Sequence, residues 1–167
     1  MDEGEFERMY DAHAATIARY ALRRARSEQD AEEVVAETFL IAWRRRDDLR
    51  GEPLPWLYGV ARRVIAHQLR AAAPPTFELR DDVAAPLESW SDRATLIHEV
   101  LRLPVLERDA LLLTVWEGLD QRECAQALGC SRVAVALRLR RARMRLRAAM
   151  PVEGEPVPQL AQVQVKV

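Results

Sequence analysis

The residues with the clearest chemical capacity in this chain are arginines. Between Ser131 and Met150 stand Arg132, Arg138, Arg140, Arg141, Arg143, Arg145 and Arg147, with no acid among them. The 167-residue chain has a net charge of −1, which leaves the remainder at −8. A guanidinium is a planar fork of N–H donors that stays charged at neutral pH, so it can clasp a phosphate or fork onto a base edge. Such segregation of charge reads as an anion-binding segment on an otherwise acidic protein. A merely solvated basic helix would carry the same count.

Spacing sharpens the reading. Val135, Leu139, Ala142 and Leu146 recur at helical intervals as an inner stripe, and Arg132, Ala136, Arg140, Arg143 and Arg147 form an outer one. The element just before can position such a helix. Asp120 and Glu123 resemble a capping box that opens a short helix over Gln121–Leu128. Gly129 supplies the left-handed turn residue, Ser131 is an N-cap, and Ala125 is small where two helices must meet. This is the pattern of a helix-turn-helix whose second helix suits a DNA major groove. Arg132, Ala136 and Arg140 are placed to read bases, while Arg138, Arg141 and Arg143 are placed to meet phosphates.

Two further rows lie upstream. Trp56, Arg63, His67 and Arg70 share one face of a helix starting near Pro55. An aromatic followed by bases can stack nucleobases and hold a single strand, though a core tryptophan beside solvated arginines fits equally. Glu33, Glu37, Leu40 and Arg44 align on a helix over about Glu28–Arg46, a mixed surface suited to a protein partner; a solvated face fits that spacing too.

Other chemistries find little support. His13, His67 and His98 are far apart in sequence, and no phosphate loop or zinc spacing is present, so no catalytic, cofactor or metal site is expected. His13 falls on an apolar stripe with Phe6, Met9, Tyr10, Ile17 and Tyr20 and reads as a core residue. Cys124 and Cys130 are too few for a disulfide framework and sit at apolar positions, which makes them small buried hydrophobes. No signal peptide and no run of about 18 apolar residues is found, so a cytoplasmic protein without membrane insertion is expected.

The chain is rich in Ala, Leu, Arg and Glu and poor in alternating β-branched runs, which predicts an all-α protein. Helices are expected over about Glu5–Arg26, Glu28–Arg46 behind a Ser27 cap, Pro55–Ala72, Asp92–Leu103, Pro104–Glu117, Gln121–Leu128 and Ser131–Met150. Ala31, Val34, Val35, Thr38, Phe39, Ala42 and Trp43 make the apolar face of the second, and Leu57, Val60, Ala61 and Val64 that of the third. A loop rich in Gly and Pro covers Asp47–Pro55. Two small helical domains, 1–73 and 92–150, flank an acidic, proline-containing flexible linker at 74–91. Residues 151–167 read as a disordered tail.

The ordered motifs resemble those of one family. Asp30-Ala31-Glu32-Glu33-Val34-Val35-Ala36-Glu37-Thr38-Phe39, Ala42-Trp43-Arg44, Pro55-Trp56-Leu57-Tyr58 with Ala61-Arg62, and Leu128-Gly129-Cys130-Ser131 running into Val135, Arg138-Leu139 and Arg141-Ala142-Arg143 are similar to an extracytoplasmic-function sigma factor of bacterial RNA polymerase. The resemblance spans roughly Phe6–Arg147. It implies a first domain, like sigma region 2, that docks on core polymerase through Glu33, Glu37, Leu40 and Arg44. It implies that the Asp47–Pro55 loop and the helix bearing Trp56, Arg63, His67 and Arg70 recognise the melted −10 element. A second domain, like region 4, would read the −35 element through the helix from Arg132. Core polymerase, promoter DNA and an anti-sigma factor are the implied partners, and a stress- or signal-responsive regulon the implied target. The chain departs from the family pattern with Arg63 and His67 in place of Asn and Asp, and with Ala134, Ala136 and Leu137 in place of Thr, Lys and Ser. A helix-turn-helix regulator with an N-terminal sensing or dimerisation domain explains the second half equally well, but not the acidic helix or the Trp56 row. A helical protein-interaction adaptor leaves the arginine segregation unexplained.

Overall fold

The structure, a computed structural model, describes residues 2–49, 51–71 and 90–149. The expected tail at 151–167 and nearly all of the expected linker lie outside these residues. Among the described residues all regular structure is helical, in two compact units. The first holds α1 (Glu3–Leu22), α2 (Glu28–Arg44) and α3 (Pro53–Ala71). The second is organised around α4 (Trp90–Arg102), α5 (Val105–Val115) and α7 (Arg132–Ala149), with α6 (Gln121–Leu128) between the last two in sequence.

Helix boundaries follow from which backbone groups find partners. Asp2 caps α1, accepting from the Glu5 N–H at 2.8 Å while Glu5 returns a bond to the Asp2 N–H, so the helix starts two residues before the expected Glu5. It also ends earlier than the expected Arg26. Ser27 must be extended to cap α2, where its Oγ accepts from the Asp30 N–H, so the chain leaves the helix before it. α3 begins at Pro53 rather than Pro55. Both prolines then lie in the first turn, whose N–H groups have no intrahelical acceptor, so neither costs a hydrogen bond. α4 begins at Trp90, two residues before the expected Asp92.

In the first unit the helices pack pairwise around Ile17 and Tyr20 of α1, Val34, Thr38 and Ala42 of α2, and Leu57, Tyr58, Ala61 and Val64 of α3. Edge-on ring pairs tie the elements: Phe6 to Trp43, Tyr10 to Phe39, and Tyr20 to Tyr58, with centroids 5.0, 4.7 and 5.0 Å apart. Such pairs each contribute about 0.5–1.5 kcal/mol beyond burial. The expected faces of α2 and α3 are the buried ones, except that Val35 and Trp43 are half-buried. Tyr10 is more exposed than its place on the α1 stripe predicts, since it covers the outer edge of Phe39. His13 is half-buried rather than in the core, and its pKa is lowered by partial burial, against a smaller opposing pull from Glu52.

In the second unit α7 packs on α5 and α4. Val135, Leu139, Ala142 and Leu146, the expected inner stripe, are its buried residues. Burying each of the larger three contributes about 1.5–3 kcal/mol. The expected α6 capping box forms in both directions, each bond 2.8 Å long. Gly129, at φ +60°, ends α6. The Cys130 N–H reaches back to the Ala125 carbonyl and the Gly129 N–H to that of Gln126, which together make a Schellman turn. Ser131 Oγ then accepts from the Ala134 N–H and starts α7.

Candidate nucleic-acid interface

α6 leads through the Gly129 turn and the Ser131 cap into α7, whose buried stripe packs on α5 and α4. At about 100° per residue, the buried stripe has Val133, Leu137 and Met144 almost opposite. These three are 69%, 45% and 58% exposed. The arginines flank that outward line on both sides, Arg132, Arg140 and Arg147 on one and Arg138, Arg141 and Arg145 on the other. The expected outer stripe is therefore one shoulder of the helix rather than its crest. Ala136 and Arg143 are only half-exposed, and Arg143 Nε is buried with no hydrogen-bond partner among the described residues. Arg132, Arg140, Arg141 and Arg147 are exposed, and no carboxylate among the described residues pairs with them.

Two arginines are engaged within the unit. Arg138 Nη1 donates to Cys130 Sγ at 3.2 Å, and Arg145 Nε lies 3.0 Å from Glu107 Oε2. Glu107 is almost wholly buried in α5, so Arg145 works as the counter-ion that lets α5 and α7 pack. Sequence spacing carried no sign of this pair, because it spans 38 residues. Cys124 is buried as expected. Its thiol is directed at the Ala110 carbonyl, and burial pushes its pKa up to about 11. Cys130 differs from the expectation in being only half-buried, since it lies in the turn rather than on the helix face.

In the first unit, Arg63, His67 and Arg70 line one open groove of about 540 Å³ between α3 and α2. Trp56 does not line it; it is half-buried two turns towards the N-terminus of α3. The facing wall adds Glu37, Ile41 and Arg45; Glu37 also belongs to the row expected on α2, whereas the spacing carries no signal for Ile41 and Arg45. The pKa of Arg63 lies below its ordinary value, first because neighbouring atoms strip its solvent, then because Arg62 and Arg45 repel its charge. An anion entering the groove would relieve that repulsion. A second open cleft, of about 480 Å³, lies under the α2–α3 loop and is lined by Glu5, Met9, Arg46, Asp47, Leu49 and Gly51. Arg46 is held there by stacking on Trp43, 4.5 Å from its centroid, and by donating to the Trp43 carbonyl. Glu33, Glu37, Leu40 and Arg44 are all exposed along one line of α2, with Leu40 46% accessible. Glu37 stands where this line meets the basic groove.

Among the described residues no group of three or more His, Cys, Asp or Glu is arranged to hold a metal, and no helix is long and apolar enough to cross a membrane.

Comparison with known proteins matches each unit separately. Residues 9–74 fit the family Sigma-70 region 2, and residues 93–146 fit Sigma-70, region 4. The chain is 32% identical to the RNA polymerase sigma factor NccH of Alcaligenes xylosoxydans xylosoxydans, over 89% of this chain and 88% of that protein. It is 30% identical to the ECF RNA polymerase sigma factor SigL of Mycobacterium tuberculosis, over 87% and 89%. Among solved structures, the sigma factor RpoE crystallised with the anti-sigma factor NepR from Bartonella quintana shares the fold at a TM-score of 0.67 and 18% identity, covering 90% of this chain and 99% of that one. CnrH, in complex with the cytosolic domain of CnrY, shares it at 0.63 and 24%, covering 92% of each.

Proposed function

The chain belongs to the extracytoplasmic-function sigma factors of the sigma-70 family, and we propose that its surfaces divide promoter recognition in a definite way. As a sigma factor it binds core RNA polymerase and promoter DNA and directs transcription initiation. The assignment of residues rests above all on the unpaired arginines flanking the crest of α7. Arg132, Ala136 and Arg140 approach base edges of the −35 duplex, while Arg138, Arg141 and Arg143 meet phosphates. Arg63, His67 and Arg70 hold the backbone of the melted −10 strand, with Trp56 available to stack on a base. Glu33, Glu37, Leu40 and Arg44 dock on core polymerase. Residues 1–73 and 92–150 act as two separate modules joined through 74–91.

The protein supplies recognition and no catalytic step, since bond formation belongs to the polymerase. It acts in the cytoplasm, where core polymerase and promoters are. An anti-sigma factor is the fitting regulator, because RpoE, which shares the fold, was solved with one. The target regulon is then one released by a stress or other signal.

Transcription by core enzyme with the full chain, on a library of promoter fragments, tests the reading. Discrete start sites that require the chain are expected. A chain that binds duplex DNA alone and yields no start sites with core would instead indicate a helix-turn-helix regulator.

A further inference from the structure

Arginine forks account for guanine recognition and phosphate affinity, but the middle of the reading surface is not arginine. On the N-terminal half of α7, the part a helix-turn-helix directs at base edges, the residues farthest from the core are Val133 and Leu137. They are 69% and 45% exposed, one turn apart on the same line. Exposed β-branched and branched aliphatic side chains at successive turns are unfavourable in water and add nothing to phosphate affinity. Arg132 and Arg140 rise on one side of them and Arg141 on the other, all exposed. A surface that is positive at both margins and apolar along its centre matches a major groove, whose phosphate walls are negative and whose floor has one apolar feature, the thymine C5-methyl.

We propose that Val133 and Leu137 are specificity-determining residues that select thymines in the −35 element by packing against their C5-methyl groups. This rests on the reading of α7 as the −35 helix. The two positions sit about 6 Å apart along the helix, the rise of four residues, so they meet different base pairs. Met144 continues the apolar line but lies in the C-terminal half, away from the base-reading turns.

Uracil differs from thymine only in lacking that methyl group, which makes the test atom-specific. Holoenzyme assembled from core polymerase and the full chain first selects its upstream element from a randomised duplex library. Each thymine of the selected element is then replaced singly by uracil, and binding is measured by competition. Loss of one buried methyl is expected to weaken binding about three- to fivefold at one or two thymines and to leave the others unchanged. Val133→Ala and Leu137→Ala should each erase the uracil effect at one of those thymines while preserving it at the other. Both side chains are exposed and alanine is the strongest helix former, so the variants stay folded; circular dichroism checks this. If no thymine responds to uracil, or if both variants keep the wild-type uracil profile, the proposal is overturned and the apolar line is left for a protein partner. A library that yields no preferred element from an otherwise initiating holoenzyme overturns the −35 reading itself along with it.

Discussion

Arginines that look alike in sequence divide into distinct physical roles once their neighbours are known. Arg141 is exposed and pairs with no carboxylate among the described residues, so it adds charge without geometry that the fold requires. Arg141→Ala should weaken holoenzyme binding to all −35 sequences alike and reduce the slope of log K against log[salt] by about 0.9. The measurement is a salt titration on several single-base promoter variants; a loss confined to one base position would make Arg141 a reader. Arg145 is the opposite case. Its removal strands the buried carboxylate of Glu107, 3.0 Å away. Arg145→Ala should therefore destabilise the fold by about 1–3 kcal/mol, less than for a fully buried pair because its own side chain is 59% exposed. Urea unfolding of the full chain reads this. Arg145→Ala combined with Glu107→Leu should recover part of the loss, since an apolar pair needs no counter-ion.

At the scale of elements, the join between α6 and α7 depends on a short stretch between Leu128 and Ser131. Gly129 stands at φ +60°, and a Cβ built there meets no atom within 4 Å. The cost of Gly129→Ala is thus backbone strain alone, about 1–2 kcal/mol, and urea unfolding should show it without any loss of native helicity. Asp120→Ala removes the acceptor for the Glu123 N–H and should cost about 1 kcal/mol. The two substitutions act on opposite ends of α6. Their effects should add if the helix is held independently at each end, and the double variant measures this. The prolines of α3 illustrate the same dependence on position. Pro53 and Pro55 initiate a helix because they fall in its first turn, whereas either one placed a turn later would break it.

For the whole molecule, two recognition units of unlike charge must serve polymerase and promoter together. The exposed line Glu33, Glu37, Leu40 and Arg44 meets the basic groove at Glu37, so protein and single-stranded DNA would share an edge on α2 and α3. Replacing Glu33 and Glu37 by Lys should lower affinity for core polymerase at least tenfold while leaving circular dichroism unchanged, because both side chains are exposed. Pull-down with immobilised core measures it. Unaltered affinity would move the docking surface off α2.

Much of this was legible in one dimension because helices obey a local period. The all-α class, the buried stripe of α7, the Asp120–Glu123 box and the Gly129 turn depend on residues within a few positions of one another. Local spacing also brought Arg63, His67 and Arg70 onto one face. What lay beyond it were relations between elements. Only packing against α5 and α4 places that stripe, and with it the exposed line of Val133 and Leu137, against the rest of its unit. Only the approach of α2 to α3 adds Ile41 and Arg45 to the basic groove. Only α5 supplies the carboxylate that occupies Arg145. A helical period states which residues share a face; the direction that face points is set by the neighbour it is buried against.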